Sequence, residues 1–127
     1  TIDSPGEVGL GNLSSSGNAL SGAFTATGDI TAFSDARVKE NIETIPNALD
    51  KVLSLRGVTY NKISESKSSM GVVAQELLEV IPEVVHENED GMYSVAYGNI
   101  VAVLIEAMKE QQEQINDLKV KLDGFTK

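Results

Sequence analysis

The residues whose types and spacing can do chemistry fall in the segment SDARVKENI, positions 34–42. Ser34 offers a hydroxyl and Lys39, five residues on, an amine. Such a pair becomes a nucleophilic dyad when burial lowers the lysine pKa until the neutral amine can take the hydroxyl proton. Positions five apart do not share a face of a regular helix, so the two meet only through a turn or across a subunit boundary. A plainer reading stands beside this one. Ser-Asp is a common turn or cap pair, and a lone lysine is usually solvated, with its stem laid along the surface.

Other constellations are thinner. A Ser/His/Asp triad needs His86, the single histidine, which the sequence places in the acidic turn HENEDG as a solvated loop residue. With no cysteine and one histidine, a zinc cluster has no ligand set, so no metal site and no cofactor are expected. GLGNLSSSG lacks the glycine spacing of a phosphate cradle and precedes no convincing helix. The run ENED lacks the alternating ligand spacing of a calcium loop.

The 127 residues that must position this chemistry allow one small domain and little more. Nineteen acidic side chains against ten basic ones leave a net charge of −9, which repels a phosphate backbone or an anionic bilayer. Neither nucleic acid nor membrane is expected as a partner, and no apolar run approaches the 18 residues of a span. The charge is unevenly spread. Residues 1–33 contain no Lys or Arg, only Asp3, Glu7 and Asp29, and hold six of the eleven glycines. This stretch reads either as a flexible Gly/Ser linker or as the end of a β-rich fibre stalk. In the second case its spaced apolar residues, among them Val8, Leu20, Phe24 and Ile30, form strands buried only against copies in other chains.

From Ser34 onward the signals are those of a compact α+β domain with a small mixed β-sheet and short helices. Thr44 as N-cap, Pro46 in the first turn and Ala48, Leu49, Val52 and Leu53 on one face predict a helix over 45–55, stopped by Gly57. VTYNKI (58–63) predicts a strand, KSSMGVVA a second in which Gly71 marks a close backbone approach, and 75–81 a short helix ended by Pro82. Asp90-Gly91 between two alternating segments predicts a hairpin.

Residues 99–125 repeat in sevens. One seam carries Val101, Met108, Ile115 and Leu122, the other Tyr97, Leu104, Gln111, Leu118 and Phe125. A single amphipathic helix laid on its own domain is one reading. The polarity of the later turns, KEQQEQINDLKVKLD, favours the other, a parallel homotrimeric coiled coil whose interface is Val101, Leu104, Met108, Gln111, Ile115, Leu118 and Leu122. Gln111 in a buried layer sets register and oligomer state.

SDARVKENI, then MGVVAQELLEVIPEVV, then YSVAYGNIVAVLIEAMKEQQEQI resemble, as a set, the C-terminal intramolecular chaperone domain of phage tail spikes and fibres, the self-cleaving family of endosialidases and neck appendages. The resemblance runs from about Ser34 to the C-terminus, with one departure at Ala96, where the family often has an acidic residue before the tyrosine. It implies a domain, 34–127, that trimerises, templates folding of the β-rich fibre upstream in the same chain, and then cuts itself off before the motif serine. The bond is then Phe33-Ser34, with Ser34 as nucleophile, Lys39 as general base, and Asp35 and Arg37 ordering the loop. It also implies a virion tail precursor made in the host cytoplasm and a chaperone released from the mature fibre. A non-catalytic trimerisation module is the alternative. A related self-cleaving domain of membrane-anchored animal transcription factors is a third reading, against which the Gly/Ser-rich upstream stretch favours a fibre.

Overall fold

The computed structural model describes residues 22–125. Within them, the expected α+β class is found: short helices, paired strands and one long C-terminal helix. The strands do not join into one mixed sheet. They form two separate antiparallel ribbons of two strands each.

Among the described residues the first elements are a 3-10 turn, Ala36–Val38, and a short helix α1, Ala48–Leu53. The helix predicted over 45–55 is shorter because Asn47 takes a left-handed φ of 53°, which breaks helical continuity ahead of Ala48. Asn47, not Thr44, is therefore the N-cap, and Pro46 lies outside the helix. At the other end the helix closes at Ser54, whose N–H reaches the Asp50 carbonyl, three residues before Gly57. Leu53, expected on the buried face, is 72% exposed.

Strands β1 (Val58–Asn61) and β2 (Ser68–Gly71) pair with Val58 opposite Gly71 and Asn61 opposite Ser68. The Asn61 amide donates to the Ser66 carbonyl at 2.8 Å, which closes the loop between them. After helix α2 (Ala74–Leu78) and a 3-10 turn opened by Pro82, strands β3 (Val85–Glu87) and β4 (Tyr93–Val95) form the hairpin expected at Asp90-Gly91. Gly91 has a φ of 82°, a conformation that glycine adopts without steric cost. The Asp90 carboxylate accepts the Met92 N–H at 2.9 Å and braces the same turn. His86 lies on β3 opposite Ser94, in the strand rather than in the turn where the sequence had placed it.

Helix α3, Ile100–Phe125, runs 26 residues in line with the predicted span. Its Val103 and Ala107 join Ala48 and Leu49 of α1, with Leu77, Ile81 and Val84, in one small buried cluster. Among the described residues seven are buried, few for a domain that must offset the ordering of its chain.

Candidate functional site

The segment around Ser34 is organised by Asp35. Its carboxylate accepts the Arg37 N–H at 2.8 Å, capping the 3-10 turn, and also takes Nε and Nη2 of the Arg37 side chain at 3.0 and 2.8 Å. This two-pronged bond holds the Asp35 carboxyl below its ordinary value and raises Arg37 further. The turn closes with Val38 and Lys39 N–H groups on the Asp35 and Ala36 carbonyls. It thereby folds the chain back far enough for Lys39 Nζ to donate to Ser34 Oγ at 2.7 Å. The pair that cannot meet on a regular helix meets across this single turn, within one chain.

Solvent surrounds all of it. Phe33 is fully exposed, and Ser34, Asp35, Arg37 and Lys39 are exposed with it. Val38 and Ile42 add further uncovered apolar side chains beside the pair. Residues 22–33 form neither helix nor strand and are exposed; the rest of the predicted stalk end, 1–21, lies outside the described residues.

Helix α3 carries two different faces. Val103 and Ala107 turn into the domain, whereas Val101, Leu104, Met108, Gln111, Ile115, Leu118 and Leu122 are exposed along the heptad seam. Tyr97, just before the helix, ties it to the first ribbon. Its hydroxyl accepts the Val72 N–H at 3.3 Å and sits where a Cβ on Gly71 would come within 2.6 Å. That is the close approach Gly71 had suggested. Sequence reasoning missed one contact altogether: the Glu110 carboxylate of α3 accepts the Leu49 N–H at the start of α1, 61 residues away. No local pattern signals so distant a cap.

Among the described residues no group of acidic or histidine side chains is placed to hold a metal ion, and no helix is long and apolar enough to cross a membrane. Residues 34–86 match the family described as chaperone of endosialidase. The match begins at Ser34 itself, the first residue of the Ser34–Lys39 turn. The chain is also 39% identical over 98 residues to a long tail fiber protein Gp37 of Enterobacteria phage K3, covering 70% of this chain and 8% of the relative. A Gp37 of Enterobacteria phage M1 is 37% identical over 109 residues, 78% of this chain and 43% of its own. One from Salmonella phage S16 is 31% identical over 123 residues, 88% and 16% respectively. The chain thus spans less than half the length of each of these relatives.

Proposed function

We propose that this chain is the assembly domain of a phage tail fibre, which trimerises through α3, registers the fibre chains upstream, and then releases itself by cutting the Phe33-Ser34 bond. The observation that carries the cleavage is the 2.7 Å contact from Lys39 Nζ to Ser34 Oγ, directly after the scissile bond and at the first residue of the family match. The long tail fiber relatives support the fibre as client.

A fibre of intertwined strands has many non-local contacts and a large loop-closure cost, so its chains fold slowly unless something registers them first. A coiled coil supplies register by local contacts. The exposed heptad seam of α3 supports this role. Three copies of the thin core also share burial that one copy manages poorly.

In the cleavage step Lys39, as the neutral amine, takes the proton of Ser34 Oγ, and the oxygen attacks the Phe33 carbonyl carbon. The tetrahedral intermediate collapses with loss of the Ser34 nitrogen, to which Lys39 returns the proton, leaving Phe33 as an ester on Ser34 Oγ. Water then hydrolyses the ester to a Phe33 carboxylate and the free hydroxyl. A lysine serves as base only when desolvation lowers its pKa, and the pair is exposed in the single chain. Cleavage therefore follows assembly, when neighbouring copies cover Val38, Ile42 and the pair between them. Because the carbonyl is covalently attached, its high effective molarity suits a weak dyad with one turnover to perform. Loss of the nucleator afterwards leaves the mature fibre protected by its unfolding barrier.

Mass analysis of the expressed chain tests the reading. Cleavage at Phe33-Ser34 is expected in the wild type, and Ser34→Ala and Lys39→Ala should each block it while the trimer still assembles. An intact wild-type trimer would leave a non-catalytic assembly module, and normal cutting by Lys39→Ala would exclude Lys39 as base.

A further inference from the structure

Helix α1 has six residues, far short of what an isolated helix needs in water. Its own N-cap does little for it: Asn47 is left-handed and makes no side-chain bond to the first turn. The first-turn N–H of Leu49 is instead accepted by the half-buried Glu110 carboxylate of α3, an anion set against the positive end of the helix. Beneath that contact, Ala48 and Leu49 are packed with Val103 and Ala107. Both the cap and the floor of α1 therefore come from α3.

The consequence reaches the Ser34–Lys39 turn. Residues 34–44 are exposed throughout, and Ile45 is the first side chain of the segment to pack against the core. Among the described residues of this segment, the turn is thus first tied to the core where the chain enters α1. Glu110 also directly precedes Gln111 of the heptad seam, so the turn of α3 that anchors α1 is the turn that assembles.

We propose that Glu110 is a positioning residue for self-cleavage: by capping α1 from α3 it anchors the Ser34–Lys39 segment to the assembly helix, so that the turn is presented only when that helix is in place. This rests on the self-cleavage reading above. A chain whose α3 is unformed then has no anchored scissile segment, which orders cleavage after helix assembly independently of any covering by neighbours.

The test uses the full 127-residue chain, following the first-order appearance of the cut product, the oligomeric state by sedimentation, and amide exchange at residues 48–50. Glu110→Ala should leave the oligomer intact, because Glu110 lies off the seam. It should speed exchange of the Leu49 amide about tenfold, as expected for a lost cap, and slow cleavage by fivefold or more. Glu110→Gln keeps an acceptor without the charge and should fall between wild type and alanine in both readouts. Gly71→Ala, a lesion in the first ribbon outside the buried cluster that floors α1, is the stability control and should cut at close to the wild-type rate. Wild-type cleavage by Glu110→Ala, or equal slowing by Gly71→Ala, overturns the positioning role. If Glu110→Ala fails to assemble, Glu110→Gln decides alone: slowed cutting in an intact oligomer supports the role, and wild-type cutting overturns it. A wild-type chain that never cuts, with Leu49 exchange still sensitive to Glu110, overturns the self-cleavage reading and the positioning role with it, while leaving the cap as a structural contact only.

Discussion

Replacing Leu104 and Ile115 with aspartate strikes the proposed trimer at two layers of its seam. In the single chain these side chains are 46% and 45% exposed, so roughly half of each remains to be covered by neighbouring helices. Full burial of a leucine or isoleucine is worth about 1.5–3 kcal/mol, and half of that is about 1 kcal/mol per side chain. Across two layers and three chains the lost burial comes to roughly 6 kcal/mol, or about four decades in the assembly constant. Three carboxylates facing one another in each layer add a desolvation penalty of several kcal/mol per buried ion. Neither residue belongs to the buried cluster of the domain, so the monomer should keep its fold. Sedimentation equilibrium at micromolar concentration is the assay, with circular dichroism confirming that α1, α2 and the ribbons persist. The expected result is a monomer with reduced helicity over the distal part of α3. A double variant that still sediments as a trimer refutes the seam as the interface, and a wild-type monomer refutes the trimer outright.

Three further outcomes follow from the packing and the ion pairs. Leu77, 1% exposed and the largest fully buried side chain, should cost about 2–5 kcal/mol on truncation to alanine, read by urea denaturation of the assembled chain. Gly71→Ala forces a Cβ against the Tyr97 hydroxyl and should cost about 1–3 kcal/mol; adding Tyr97→Phe should recover part of that loss, and no recovery would mean that the clash lies elsewhere. The Arg56 guanidinium donates to both Glu76 oxygens, at 2.9 and 3.0 Å, and holds that carboxyl below its ordinary 4.5. A folded-state pKa lower than the unfolded one means that the pair's stabilisation is present above pH 4.5 and is lost as pH falls through the lowered value. Arg56→Gln should therefore weaken the acid dependence of unfolding in that window, and an unchanged pH profile would show that the pair contributes nothing measurable.

Much of the site was legible because its signals are local. Ser34, Asp35, Arg37 and Lys39 are close in sequence, and a Ser-Asp pair is a natural turn former, so a turn bringing serine and lysine together was a readable option. The hairpin at Asp90-Gly91 rests on one glycine at positive φ, again a local choice. The length of α3 was legible for another reason: a heptad pattern unbroken by proline leaves little else for residues 100–125 to form. Boundaries fared worse where tertiary contacts overrode propensity. Thr44 and Pro46 are good helix-start residues, yet the helix begins at Ala48, where Glu110 and the apolar floor of α3 can satisfy it.

By itself, then, the sequence determined the α+β class and the long helix with its repeating seam, and offered a turn at Ser34 as one of two ways for serine and lysine to meet, because each depends on residues near one another along the chain. Only the tertiary structure decided that the strands pair as two separate ribbons, that Tyr97 seats against Gly71, and that Glu110 caps a helix 61 residues away. It also decided which face of α3 is spent on the domain and which is left uncovered. These are contacts between distant segments, and their geometry is set by how the elements stack around a small shared core, which no local pattern encodes.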